Sequence, residues 1–178
     1  MAQTAPPAGV SAQTKLARLF GLEGETWMRH ANPLSVWTRF TVLPLLVVAI
    51  WSRDWIGWWS LVPIALAVVW MIVNPRLFPP PRSTRSWASK GVFGERVWAE
   101  GDRESFPAQF RSRVLAVAQG YQVLGMLPLV YGLVALDPIV AACGVAIVQG
   151  GKLWYIDRMV LLFEDVKSRR PEYAAWEY

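Results

Sequence analysis

Residues 33–73 read PLSVWTRFTVLPLLVVAIWSRDWIGWWSLVPIALAVVWMIV, and this apolar block decides the fold. A second apolar block covers residues 114–151. One crossing of a bilayer takes about 20 residues of helix, so a block of about 40 residues is long enough for two crossings. The sequence therefore predicts an all-α membrane protein whose four transmembrane helices form two hairpins.

The positive charges indicate how these hairpins are oriented. Of the 18 Lys and Arg residues, 16 lie in the N-terminal segment, the middle and the C-terminal part, Arg39 lies near the inner end of the first predicted helix, and only Arg53 lies at a predicted outer turn. An excess of Lys and Arg is typical of cytoplasmic loops. We expect a protein of the bacterial inner (cytoplasmic) membrane with both termini cytoplasmic. Attraction to anionic lipid explains the net charge of +5, and no nucleic acid is expected as a partner.

Local signals divide the chain into three parts. Residues 1–24 are predicted to form a disordered or interfacial tail, residues 25–167 a four-helix transmembrane domain, and residues 168–178 a C-terminal tail. The predicted helices cover about residues 33–52, 55–73, 107–136 and 139–167, and residues 76–104 form a cytoplasmic loop. The second helix is expected to end at Asn74-Pro75, because a residue before proline avoids helical geometry. Two amphipathic interfacial segments are predicted, Lys15–Leu22 and Ser86–Trp98.

Charged and polar residues gather at the predicted inner boundary of the membrane. Such residues are costly inside a membrane helix unless they pair, reach the headgroups or line a cavity. One interpretation is a polar pocket at the inner leaflet, and the other is a set of side chains that reach the headgroups separately. We expect Asp157 to pair with Arg39 or Lys152. The candidate residues are His30, Arg39, Glu95, Arg96, Lys152, Asp157 and Arg158.

No residue pattern in the sequence predicts catalysis or a metal site. His30 is the only histidine and Cys143 the only cysteine, which excludes His-rich and Cys-based metal sites. His30 could carry a proton, but we do not expect it to ligate a haem or another pigment. No catalytic residue and no cofactor is predicted, and lipid is the one small molecule expected.

The loop segment Ser86–Trp98 is a candidate surface for docking a partner. Its two glycines, Gly91 and Gly94, weaken a free helix, so the segment is expected to become helical only against a membrane or a partner. Buried aromatic side chains are typical anchors of interfaces. The candidate anchors are Trp87, Phe93 and Trp98, and the alternative is that these rings rest among the lipid headgroups.

Several strings together resemble an uncharacterised bacterial and archaeal membrane family, a domain of unknown function. The resemblance covers about Glu25–Lys167 and implies a multi-helix membrane fold without any assigned reaction or ligand. The strings are WMRHANP (27–33), WTRF (37–40), NPRLF (74–78), KGVFGERVW (90–98), GKLW (151–154) and DRM (157–159).

Two functions are consistent with these observations. The first is a non-catalytic accessory or stabilising subunit of a larger inner-membrane complex, for which respiratory and photosynthetic complexes are candidate hosts, or of a homo-oligomer. The alternative is a small membrane enzyme or carrier that acts on a lipid or an anionic substrate at the charged pocket.

Overall fold

A computed structural model describes residues 25–101, 106–111 and 114–178, and every regular element in these residues is a helix. The N-terminal tail and the segment Lys15–Leu22 lie outside the described residues. A short 3₁₀ helix, Gly57–Ser60, separates two of the α-helices. In chain order the α-helices are α1 (Glu25–His30), α2 (Pro33–Phe40), α3 (Val42–Trp51), α4 (Arg53–Ile56), α5 (Leu61–Leu77), α6 (Trp87–Glu100), α7 (Ala108–Arg111), α8 (Val114–Ala135), α9 (Pro138–Arg169) and α10 (Pro171–Ala174).

Three helical stretches are long and apolar enough to cross a membrane: Pro33–Leu77, Ala108–Ala135 and Pro138–Arg169. Many of their large apolar side chains remain exposed, and Val134 and Ile139 are each 74% exposed. Exposed apolar surface on this scale is typical of a face that meets lipid. The prediction of a helical membrane protein is confirmed at this level.

The first predicted crossing consists of two helices instead of one. α2 ends at Phe40 and α3 begins at Val42. Pro44 lacks an N–H group, and its ring crowds the carbonyl of Phe40, four residues earlier. The Phe40 oxygen instead accepts a hydrogen bond of 2.6 Å from Nε2 of Gln149 in α9. A side chain of a distant helix thus satisfies the carbonyl that the proline leaves free.

The second predicted crossing begins later than the sequence indicates. Residues near Trp55 belong to α4, which ends at Ile56 and is followed by Gly57 with φ of +55°. This left-handed conformation favours glycine, and it interrupts the helix. The helix that follows, α5, therefore begins at Leu61.

α5 also ends later than predicted, since it continues through Asn74-Pro75 to Leu77. The predicted end at Asn74-Pro75 is therefore wrong. The Asn74 side chain is fully buried, donates to Thr38 Oγ1 at 2.8 Å and accepts from Ser35 Oγ at 3.0 Å. These bonds to α2 hold Asn74 in a conformation that its proline neighbour disfavours.

α8 and α9 pack closely along each other. Asp137 caps α9, because its carboxylate accepts from the backbone N–H groups of Ile139 and Val140 at 3.0 Å. Gly144 of α9 lies directly against the backbone of Leu129 in α8, where a Cβ atom would have no room. Small residues permit this close approach of two helix backbones.

α6 forms a helix inside the predicted cytoplasmic loop, and it packs on the chain's own α9. Gly94 lies against the backbone of Met159, and the ring of Phe93 packs on that of Phe163 at 5.3 Å. The expectation that this segment needs a membrane or a partner to become helical is therefore corrected. The two glycines weaken the helix but allow it to approach α9.

Residues 168–178, a tail by sequence, pack on the segment that precedes α6. Thr84 donates its backbone N–H to the Tyr178 carbonyl at 3.0 Å, and its hydroxyl donates to the Trp176 carbonyl at 2.9 Å. The Trp176 ring lies parallel to that of Phe163 at 6.4 Å. The C-terminal residues thus complete the aromatic core around Phe93.

Candidate binding cleft

The position of Arg39 depends on α2, whose start is fixed by local contacts. Asn32 caps the helix by accepting from the N–H of Leu34 at 2.9 Å, and Pro33 occupies the first helical position. The Asn32 amide also donates to the Pro79 carbonyl at 2.9 Å, which ties this start to the chain beyond α5. Arg39 lies near the end of the same helix.

The Arg39 guanidinium is held by two contacts within its own part of the chain. Nε donates to the Ser35 carbonyl at 3.0 Å, and Nη1 lies 2.6 Å from Nε2 of His30. An arginine only donates hydrogen bonds, so His30 must accept and is therefore neutral. His30 is buried, and its ring meets Trp27 edge-on at 5.9 Å.

Burial lowers the pKa of His30 well below its ordinary value of 6.5, and the positive charges of Arg39 and Lys152 lower the pKa further. A buried site disfavours the charged imidazolium, and like charges nearby do the same. His30 thus remains an uncharged acceptor behind Arg39 at neutral pH.

Glu95 and Lys152 form an ion pair across the cleft. Lys152 Nζ of α9 lies 2.9 Å from Glu95 Oε1 of α6. The Lys152 side chain is 41% exposed, so the pair is partly solvated. The pair links two helices that also pack through Gly94.

A cleft of about 100 Å³ lies between α2, α6 and α9. Its polar lining consists of both members of the ion pair, the Arg39 guanidinium and the Gln149 amide. The other five lining residues are apolar and come from the same three helices. The lining residues are Val36, Arg39, Phe40, Ala88, Val92, Glu95, Gln149, Lys152 and Ile156.

Four of the seven predicted boundary residues come together here: His30, Arg39, Glu95 and Lys152. Arg96 lies elsewhere, with its guanidinium over the Trp176 ring at 4.3 Å and its Nε 3.0 Å from Glu100. Glu95 and Arg96 are neighbours in sequence but point to different surroundings because they occupy successive positions of α6.

Asp157 and Arg158 also lie outside the cleft. Asp157 Oδ2 pairs with Nη2 of Arg158 at 2.6 Å, and Oδ1 accepts from Trp87 Nε1 at 3.4 Å. Asp157 is therefore paired with a base, as expected, but the base is Arg158, and the prediction of Arg39 or Lys152 as its partner is wrong. Lys152 is engaged by Glu95 from α6, a residue that sequence spacing alone could not place beside it.

The proposed docking anchors have different environments. Phe93 is fully buried in the chain's own core and is not available at a surface. Trp98 is partly buried and stacks on Phe106 at 5.6 Å, and Trp87 stacks on Trp37 at 5.8 Å. The prediction that Phe93 is a docking anchor is therefore wrong, while docking through Trp87 and Trp98 stays a prediction.

The sequence did not predict Gln149 as part of the site. The signal that could have found it is Pro44, because a proline inside a helix leaves a carbonyl that needs another donor. The described residues contain no group of three His, Cys, Asp or Glu side chains that could hold a metal ion.

Comparison with known proteins identifies a family but no activity. A family model described as a family of unknown function, DUF6653, matches residues 11–177, so the chain belongs to this family. The match extends beyond the predicted resemblance at both ends and includes most of the C-terminal tail. No curated protein and no solved structure matches the chain.

Proposed function

We propose that this member of a family of unknown function is a bacterial inner-membrane protein that crosses the bilayer four times, as two hairpins. The 45-residue stretch Pro33–Leu77 exceeds the length that one crossing requires. Its two ends lie together, because Ser35 contacts Asn74, and this supports two crossings within the stretch. The charge distribution supports cytoplasmic termini.

Labelling with an impermeant thiol reagent in intact cells tests this topology. In a Cys143→Ser background, Asp54→Cys should react, whereas Arg85→Cys should react only after the cells are opened. Both positions are exposed, so a difference between them reports the side of the membrane. The reverse pattern would contradict the proposed orientation.

The cleft supports a binding function, with an anionic group as the ligand. The observation that carries this proposal is the state of Arg39, which is partly buried and lines the cleft. Among the described residues no carboxylate forms an ion pair with it, Glu95 of the same cleft attracts it only from a longer distance, and no hydrogen bond includes its Nη2. A charge withdrawn from water is costly unless it is paired. A guanidinium is well suited to bind carboxylate or phosphate oxygens.

The experiment compares Arg39→Gln with Arg96→Gln in the purified full chain in detergent. The anionic ligand is supplied as inorganic phosphate and, separately, as an anionic phospholipid, and binding is followed by thermal stabilisation. We expect Arg39→Gln to abolish the stabilisation and Arg96→Gln to retain it, because Arg96 lies on Trp176 outside the cleft. If neither anion stabilises the wild-type protein, the proposed function is wrong.

The accessory subunit of a larger complex, or of a homo-oligomer, is the second candidate function. It is favoured by the stacked indoles of Trp37 and Trp87, since Trp37 is 49% exposed on α2, one of the three helices that line the cleft. We expect Trp37→Ala combined with Trp87→Ala to preserve membrane insertion and to abolish co-purification of a partner in fixed stoichiometry. If this double variant retains the partner, the surface formed by Trp37 and Trp87 is not the docking surface.

A further inference from the structure

We infer that the ligand of the cleft is an amphiphile with one negative charge, whose headgroup binds Arg39 and whose hydrocarbon part lies on the apolar side chains of the lining. This inference rests on the proposed anion-binding function and specifies its ligand. It depends on three features of the cleft: its net charge, its size, and the apolar surface that continues from it.

The charges that line the cleft leave one positive charge unmatched. Arg39 and Lys152 are positive, Glu95 is negative, and His30 behind them is neutral. A ligand with one negative charge therefore brings the cleft to neutrality. A doubly charged headgroup would leave a net negative charge in surroundings that are largely apolar, which is unfavourable.

The cleft is large enough for a headgroup but not for a whole lipid. Its volume is about 100 Å³. A carboxylate, or the phosphodiester of a phospholipid, fits such a space. The remainder of the ligand must therefore leave the cleft.

The apolar part of the lining provides a path for the hydrocarbon. It consists of five residues, and Phe40 among them packs on Trp37 at 5.7 Å. Trp37 is half exposed and stacks on Trp87, so apolar surface continues from the cleft to the outside of the protein. A hydrocarbon chain attached to a headgroup in the cleft can therefore lie along this surface and remain in contact with apolar groups.

Fatty acids and anionic phospholipids share the required chemistry, one negative group attached to hydrocarbon. Native mass spectrometry of the full chain in non-ionic detergent can compare four ligands: oleate, dioleoyl phosphatidylglycerol, dioleoyl phosphatidylcholine and inorganic phosphate. We expect oleate or phosphatidylglycerol, or both, to bind at least tenfold more tightly than phosphatidylcholine and inorganic phosphate. Which of the two binds identifies the source of the anionic group.

Two cleft variants and one control variant locate the binding. Arg39→Gln should weaken it at least tenfold, and Arg96→Gln should leave it unchanged. Lys152→Glu changes an exposed position, which the fold should tolerate, and it turns the net charge of the lining from one positive to one negative. This variant should also lose binding, and it decides the question if Arg39→Gln fails to fold.

The outcomes separate this inference from the proposed function. If inorganic phosphate binds as tightly as the lipids, the cleft binds anions but the inference of an amphiphile is overturned. If phosphatidylcholine binds as tightly as phosphatidylglycerol, the requirement for negative charge is overturned. If both cleft variants retain wild-type affinity, the ligand binds elsewhere and both proposals are wrong.

Discussion

Two regions of this protein are held together by different kinds of side chain. The aromatic half comprises α6, residues 156–169 of α9 and residues 170–178, and its interior contains the fully buried Phe93 and Phe163. The apolar half comprises α3, α5, α8 and residues 138–151 of α9. Its interior contains many small residues such as Ala118, Ala141 and Gly144 beside a few larger ones such as Leu129, while many of its other large side chains face outward.

The proposed topology explains the difference, because it places the aromatic half in water on the cytoplasmic side and the apolar half in lipid. Removing an aromatic ring from water is strongly favourable, so a region that meets water gathers its rings inside. A lipid tail is as apolar as leucine, so helices in lipid gain little by burying large side chains and associate through close packing of small ones. The same chain therefore uses large residues at one end of α9 and glycine at the other.

The largest effect is expected when a ring is removed from the aromatic half. Phe93→Ala should lower the free energy of unfolding by about 3–5 kcal/mol, because it leaves a cavity beside Phe163 and Trp176. Leu127→Ala removes a side chain of the apolar half that is mostly exposed, and it should change stability by about 0.5 kcal/mol or less. Unfolding in mixed micelles measures both. Equal losses would show that the two halves do not differ in how they are stabilised.

A pair of glycines tests the close packing of the apolar half. Gly144→Ala should destabilise the protein by about 1–3 kcal/mol, since its Cβ would meet the backbone of Leu129. Gly150→Ala, on the same helix, has open space around its Cβ and should be neutral or slightly stabilising, because alanine favours a helix. The same unfolding assay applies. Similar values for the two variants would contradict the proposed role of small residues in this half.

The buried histidine should make stability depend on pH. The lowered pKa of His30 means that the unfolded chain binds a proton near pH 6.5 while the folded chain does not. The contribution of His30 to the free energy of unfolding should therefore be fully present above this pH. The free energy of unfolding should fall by roughly 1 kcal/mol between pH 7 and 5.5. In His30→Gln this part of the pH dependence should disappear. An unchanged slope in the variant would assign the effect to other groups.

The smallest effect is expected at Asp157. Its ion pair with Arg158 is partly exposed, and pairs of this kind contribute between about 0 and 1 kcal/mol. Asp157→Asn should therefore cost about 0.5 kcal/mol or less, and the loss should not depend on Arg39 or Lys152. A double-mutant cycle with Arg39→Gln measures this. A coupling energy above about 1 kcal/mol would restore the pairing expected from the sequence.

Helix positions were predicted well where the signal is local. The end of α8 and the start of α9 follow from Asp137-Pro138, since a capping carboxylate and a proline act on their immediate neighbours. The end of α5 was predicted wrongly because Asn74 is held by side chains of α2, about 36 positions earlier in the chain. A preference of the residue before proline is weak enough for such bonds to override it.

The candidate site was predicted only in part for the same reason. Arg39 and Lys152 could be identified from the sequence alone, because a charged side chain within an apolar helix is costly unless another group pairs with it or water reaches it. The partner of Lys152 and the exclusion of Asp157 depend on the packing of α6 against α9, which brings Glu95 to the cleft. Gln149 joins the site because a proline in another helix leaves a carbonyl to be satisfied.

The sequence by itself determined the helical membrane class and the charged residues, such as Arg39 and Lys152, that need a partner or water. The length of an apolar stretch and the cost of a buried charge are properties of the chain alone. Only the tertiary structure decided which charges meet, that Phe93 lies in the core, and that the C-terminal residues complete this core. Contacts between distant residues depend on how helices approach, and glycines such as Gly94 and Gly144 set that approach through the space they leave.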